Sequence, residues 1–296
     1  MTVPARPFGT VLCAMVTPMR EDGEIDFDAA ARLARHLVDN GNDGLVLSGT
    51  TGEAPTTHAP EKAHLIAVVR DAVGPHVPLL TGAGSNDTAH ATRMAEQGQE
   101  AGADGILALV PYYSKPQQRG IVAHLTAIHD ACDLPLMLYD IPGRTGVALS
   151  DESFDALAAL ERVVATKDAT GTVAHAAERI GRTGLAWYSG DDALTLDFLR
   201  AGAAGVVSVS SHVAGRQIAA MVAAFDAGNL AEAERLNAAL LPIHDAMFTG
   251  PGAVNAKSAI HLLGVIDSRA MRLPLLPATD QEYERLAAAL RAAGVL

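Results

Sequence analysis

Lysine is scarce in this chain. Its 296 residues hold only four: Lys62, Lys115, Lys167 and Lys257. No basic cluster exists and the formal net charge is −12, which argues against nucleic acid as a partner. Cysteine is scarcer still. Cys13 and Cys132 stand far apart in apolar surroundings, with neither a disulfide framework nor a CxxC metal pattern; a reducing compartment is expected. The eleven histidines are scattered and never take metal-ligand spacing. No run approaches the roughly 20 apolar residues of a membrane span. Residues 1–9 lack a basic segment followed by an apolar one, so no signal peptide is expected. The expected location is the cytoplasm. The first apolar run leads into Val16-Thr17-Pro18-Met19 and not into GxGxxG, which removes the opening turn of a dinucleotide-binding sheet.

What is present is an alternation. About half of the residues (49%) are hydrophobic, enough for a sizeable core. Short apolar runs at 10–17, 44–48, 78–82, 105–110, 134–139, 163–166, 186–189 and 206–209 predict strands. Their continuous apolar character suits strands buried on both faces. Between them, Ala- and Leu-rich helical patterns run over 27–40, 60–73, 88–101, 117–131, 153–160, 173–181, 193–201 and 215–227. Asp26, Asp87 and Ser150 are placed as N-caps, and Gly41, Gly74, Gly102 and Gly202 follow helices. Eight βα units in about 230 residues match a (β/α)8 barrel. Three further helices are expected at 230–248, 253–263 and 280–293, so the fold reads as a TIM barrel (1–228, catalytic) with a C-terminal helical appendage (229–296). Helices this rich in Ala and Leu also suggest oligomer contacts.

In such barrels the chemistry sits at the C-terminal ends of the strands. Strand two leads into Gly49-Thr50-Thr51-Gly52-Glu53, strand four into Pro111-Tyr112-Tyr113, and strand five into Tyr139-Asp140-Ile141-Pro142-Gly143-Arg144-Thr145-Gly146. Strand six ends in Lys167, strand seven in Gly190-Asp191-Asp192, and strand eight in 208–211. Lys167 is the only lysine to close a segment that reads as a buried strand. An ammonium there is costly unless it is paired or loses its proton. Two readings follow: a neutral amine that forms a Schiff base with a ketone, or a structural ion pair, with Asp168 as partner. The Gly49–Gly52 turn either holds a small carboxylate on its N–H groups and hydroxyls or is a plain turn. Three of the five tyrosines (Tyr112, Tyr113, Tyr139) fall at strand ends, as proton-transfer groups or as rim aromatics. Arg144 either grips a carboxylate or makes a surface salt bridge. Asp191-Asp192 reads as a helix cap before a metal pair, because no His or Glu accompanies it at ligand spacing. A keto-acid sensor would keep the threonine turn without needing Lys167, Tyr139 and Tyr113 together. A phosphate-binding barrel would need a glycine-rich loop and a short extra helix near 202–211, and that loop is missing.

The threonine turn, the Tyr139–Gly146 segment and Lys167-Asp168-Ala169-Thr170-Gly171 together resemble the dihydrodipicolinate synthase family, from about residue 9 to the end. These are pyruvate-dependent class I aldolases, and the family fold is a barrel with a C-terminal helical region. By this resemblance, Lys167 matches the Schiff-base lysine that condenses with pyruvate. Tyr139 matches the proton donor and acceptor beside the imine. Thr50 and Tyr113 match its partners in a hydroxyl relay, Tyr113 reaching across a subunit interface. Thr51 matches the residue that binds the pyruvate carboxylate, and Val207 matches a backbone contact to pyruvate. Arg144 matches the arginine that grips the carboxylate of L-aspartate 4-semialdehyde. The resemblance implies a lyase that makes 4-hydroxy-tetrahydrodipicolinate for lysine and diaminopimelate biosynthesis. It implies no metal or organic cofactor and a homotetramer, a dimer of dimers. The Arg144-Thr145-Gly146 segment separates the chain from sialic acid lyases and keto-deoxy-sugar aldolases, which resemble it elsewhere. Two departures stand out. Asp140 replaces a common Asn. At the positions matching the lysine feedback site (Ala54, Pro55, Ala59, Lys62, Asn86, His90, Tyr112), Lys62 and His90 replace a histidine and a glutamate, which disfavours L-lysine binding.

Overall fold

The computed structural model describes residues 4–296. Eight parallel strands close on themselves in chain order: β1 (Val11–Ala14), β2 (Gly44–Leu47), β3 (Leu79–Gly82), β4 (Gly105–Leu109), β5 (Leu136–Asp140), β6 (Val163–Asp168), β7 (Ala186–Ser189) and β8 (Gly205–Ser208). Closure comes from β8 beside β1, with Val206 opposite Val11 and Val207 opposite Leu12. The approach is tight enough that a Cβ on Gly205 would collide with the carbonyl oxygen of Thr10.

The outer layer is α1 (Phe27–Asp39), α2 (Ala59–Val73), α3 (Thr88–Glu100), α4 (Gln118–Asp130), a single turn α5 (Pro142–Thr145), α6 (Asp151–Ala158), α7 (Ala176–Thr183), α8 (Thr195–Arg200) and α9 (Ser211–Asp226). Three more helices follow the barrel: α10 (Leu230–Met247), α11 (Gly252–Leu262) and α12 (Asp280–Ala292). The expected caps are in place. Asp26 accepts from Ala29 N, Asp87 from Ala89 N and Ser150 from Ser153 N. Gly41, Gly74, Gly102 and Gly202 all take positive φ where a helix ends, the conformation that stops a helix with least strain when no Cβ is present.

The period of two sorts the strand side chains. Leu12, Val46, Leu80, Leu107, Met137, Ala165 and Val207 point inward and fill the barrel, with Phe8 joining them. The alternate residues face the helices in two larger clusters. One of these clusters holds Val11, Leu33 and Leu45 together with Leu240, Ile243, Ile260, Leu286 and Leu290. The C-terminal helices therefore share a core with the barrel's own outer layer.

Several boundaries differ from expectation. β6 runs to Asp168, two residues past 166, because the ladder continues: Tyr139 pairs with Lys167, and Asp140 with Asp168. α7 starts at Ala176 and not 173, because Thr172 Oγ1 accepts from Ala174 N and forms a local turn that competes with the helix. The helix expected at 193–201 is a 3₁₀ turn (Asp192–Leu194) followed by α8. α9 starts at Ser211, ahead of 215, since Ser208 Oγ accepts from Ser211 N.

Candidate active site

The alternation that fills the barrel also sends Tyr139 and Lys167 inward at its C-terminal mouth. Lys167 is 6% exposed, and its Nζ lies 4.4 Å from the centroid of the Tyr139 ring. Space for its side chain comes from Gly190: a Cβ there would stand 3.1 Å from Lys167 Cε and 2.8 Å from Ala169 Cβ. Asp168 is not its counter-ion. One residue further along β6, Asp168 faces out, accepting from Trp187 Nε1 at 3.0 Å and from Thr170 N at 3.0 Å. Among the described residues no ion pair involves Lys167. An amine buried against an aromatic face without a carboxylate is a poor structural cation and a suitable nucleophile.

Tyr139 forms part of the wall of a cleft with Ser48, Gly49, Thr50, Gly82, Leu107 and Tyr112. A second, more open cleft shares Thr50, Pro55, Leu109 and Tyr112 with the first and continues to Tyr113, Ile141, Arg144 and Thr145. One continuous channel thus runs from Tyr139 to Arg144. Arg144 sits on α5, whose Pro142 opens the turn and whose Gly146 closes it in the left-handed region. It is exposed, and among the described residues it has no carboxylate partner, so the surface salt bridge is absent. Tyr113 is 87% exposed and has φ 72, a strained value for an aromatic residue.

The threonine turn is rigid on its barrel side. Thr17 Oγ1 donates to Gly52 O at 2.7 Å, Ala54 N to Gly49 O at 3.1 Å and Glu53 N to Thr50 O at 3.2 Å. Among the described residues the N–H groups of Thr50 and Thr51 find no acceptor, so the turn offers two adjacent donors to an anion. Val207 is buried on β8 opposite Leu12.

A family model of the dihydrodipicolinate synthetase family matches residues 7–293. The chain belongs to that family. A dihydrodipicolinate synthetase relative from Kineococcus radiotolerans, named 4-hydroxy-tetrahydrodipicolinate synthase, is 52% identical over 293 residues, covering 99% of this chain and 95% of the relative. Among solved structures, the dihydrodipicolinate synthase of Cyanidioschyzon merolae with lysine bound superposes with a TM-score of 0.94 at 42% identity, over 99% of this chain and all (100%) of that one. The chloride-inhibited dihydrodipicolinate synthase of Acinetobacter baumannii complexed with pyruvate gives 0.93 at 35% identity, over 98% and 100%.

Three features of this site escape sequence reasoning. The first is the division of labour in Asp191-Asp192. Only Asp191 caps, accepting from Ala193 N. Asp192 is buried and accepts from Ser208 Oγ, from Val209 N at 2.9 Å and from Ser210 N at 3.1 Å, tying β7 to the end of β8 just beyond Val207. His212 braces the same end: Nδ1–H donates to Val209 O at 2.7 Å and Nε2 accepts from Val16 N, while burial lowers its pKa to about 4 and keeps the ring neutral. Among the described residues no cluster of His, Cys, Asp and Glu is placed to hold a metal ion. The second feature is Lys257. It is as buried as any residue in the chain (0% exposed) and pairs with Glu53; its signal was a lone lysine in a helix of small and apolar residues.

The third is the state of Asp140. It is fully buried (0% exposed). Its Oδ2 accepts from Leu149 N at 3.2 Å, and its Oδ1 has no partner. Burial pushes its pKa up to about 7, with the Asp168 charge adding to the rise and the Leu149 N–H opposing it. Unfolded, the same carboxyl titrates near 3.8. Between those values the native state holds a proton that the unfolded chain has released, so stability falls as pH rises through that window. Asp140→Asn removes the charge at constant shape. The variant is expected to melt about 2–6 °C above the parent at pH 8, with the gap closing toward pH 5. Melting curves across pH 5–8 check this; a gap independent of pH would show that Asp140 is ionised throughout.

Proposed function

We propose that the protein condenses pyruvate with L-aspartate 4-semialdehyde through a Schiff base on Lys167, giving 4-hydroxy-tetrahydrodipicolinate. This is a lyase reaction, and it belongs to lysine and diaminopimelate biosynthesis. The observation that carries the reading is Lys167 itself, buried against Tyr139 at the mouth of the barrel without a counter-ion. Family membership and relatives that carry the activity's name support it.

The chemistry proceeds in four stages. The amine of Lys167 adds to the pyruvate ketone, and water leaves to form an iminium ion. The iminium is an electron sink, so a methyl proton departs and an enamine forms. The enamine carbon bonds to the aldehyde carbon. The amine of the semialdehyde then displaces Lys167 and closes the ring. Tyr139, with Thr50 and Tyr113, moves the protons through hydroxyl groups, which avoids placing a formal charge beside the iminium. Thr51 and the N–H groups of its turn hold the pyruvate carboxylate, and Val207 contacts it through its backbone. Arg144 holds the carboxylate of the second substrate at the far end of the channel. No step calls for a metal or an organic cofactor.

The barrel (1–228) carries this chemistry and the C-terminal region (229–296) packs against its outer layer. The working assembly is a homotetramer in which the exposed Tyr113 is offered to a neighbouring subunit; sedimentation velocity measures it. The location is cytoplasmic, in keeping with the finding that no helix among the described residues is long and apolar enough to cross a membrane.

Turnover of pyruvate with L-aspartate 4-semialdehyde, coupled to the following reductase and read as NADPH loss, tests the function. Inactivity of the folded protein would leave a pyruvate aldolase with a different aldehyde, and sugar-derived keto acids would be the next substrates to try.

Regulation by L-lysine is expected to be weak or absent. The Lys62 ammonium, half-buried with Met94 Sδ at 3.6 Å, is held below the usual lysine value by desolvation despite Glu61. A cation facing the effector's own ammonium disfavours its binding, so the IC50 for L-lysine is expected above about 1 mM. A dose–response curve in the coupled assay measures it.

A further inference from the structure

Glu53 is the residue where the threonine turn leaves the barrel, and its side chain is held entirely by the C-terminal region. Lys257 Nζ on α11 donates to Glu53 Oε1 at 2.5 Å and to Ala270 O at 2.8 Å. Glu53 Oε2 accepts from Arg272 N at 3.0 Å. Both charged groups are buried. Stability alone is a weak account of such a pair, because apolar residues of similar volume commonly serve a core as well.

The backbone supplies a better account. Glu53 has φ 57 and ψ 39, the left-handed region, which a residue with a Cβ keeps only when its surroundings enforce it. Directly before it stands Gly52, where a Cβ would come 3.0 Å from Met15 O and 3.2 Å from Thr17 Oγ1. The turn is therefore pressed against the segment that follows β1 on one side and pulled by a carboxylate on the other. Arg272 adds a second tie beyond Glu53: its guanidinium donates to Thr56 O at 2.8 Å, to Gly23 O at 2.9 Å and to the Glu61 carboxylate.

We propose that Lys257 is a positioning residue for the carboxylate-binding turn: acting through Glu53, it fixes the direction of the Thr50 and Thr51 N–H groups. The C-terminal helices thereby form part of the pyruvate site without touching the substrate. This rests on the reading that the turn holds the pyruvate carboxylate.

The test compares the full-length parent, Lys257→Met and the double variant Lys257→Met/Glu53→Gln. Melting temperature, KM for each substrate, kcat and borohydride trapping of pyruvate are measured. Lys257→Met leaves Glu53 charged, buried and unpaired, so its melting temperature is expected to fall. The double variant removes that charge and is expected to regain most of the loss. Its KM for pyruvate is nevertheless expected to stay about 10-fold or more above the parent, with KM for the semialdehyde and kcat changed by less than about 3-fold. A parental KM for pyruvate in the double variant, or an equal rise in both KM values, overturns the inference while leaving the reading of the turn intact. Failure of the double variant to fold also overturns it, because the pair would then be a requirement of the fold. Absence of any pyruvate adduct on the parent protein overturns the reading and the inference with it.

Discussion

Lys167→Ala is expected to lose all pyruvate adduct in borohydride trapping and to lower kcat by roughly 10⁴-fold or more. The size follows from the chemistry: without the amine there is no iminium, and without the iminium nothing draws the methyl proton away. The fold should not suffer. Lys167 has no ion pair among the described residues, and its removal takes a buried, uncompensated polar group out of the barrel mouth. The melting temperature of the variant is expected to match or exceed that of the parent. Loss of activity together with an unchanged melt would separate a chemical role from a structural one. Retained trapping, located by mass spectrometry of the digested protein, would move the nucleophile to another amine.

Arg144→Ala is expected to divide the reaction in two. Pyruvate should still be trapped on Lys167 at the parental level, because Arg144 lies at the outer end of the channel, in the cleft with Tyr113 and Thr145, away from Tyr139. Use of the semialdehyde should fall by about 10²- to 10³-fold in kcat/KM, the expected cost of losing charge-assisted hydrogen bonds to a carboxylate. Stability should change by no more than about 0.5 kcal/mol, since the side chain is exposed and unpaired. Single-turnover trapping and steady-state kinetics on one preparation measure both halves. A loss of equal size in both steps would show that Arg144 shapes the pyruvate pocket and does not select the second substrate.

How much of this was legible before the fold was seen depends on the range of the interaction. The strand and helix alternation, the caps at Asp26, Asp87 and Ser150, and the terminating glycines are local. Each depends on a few neighbouring residues, and the structure has them as expected. Strand ends were less legible where polar residues continue a ladder, as at Lys167-Asp168. Helix starts were less legible where a hydroxyl competes for the first turn, as at Thr172. That Tyr139, Arg144 and Lys167 gather at one mouth was legible because barrel geometry sends the ends of neighbouring strands there.

The sequence by itself determined the class of fold and singled out Lys167 as the lysine that closes a buried strand. Periodicity sets which faces are buried, and a lysine closing a buried strand has few physical options. Only the tertiary structure removed Asp168 as an ion-pair partner, by turning it outward to Trp187 and leaving Lys167 against Tyr139. It alone joined Glu53 to Lys257, 204 positions away, and Asp192 to the end of β8. Pairings of that kind carry no local signature, because the energy of a buried charge depends on what the fold brings beside it and not on what precedes it in the chain.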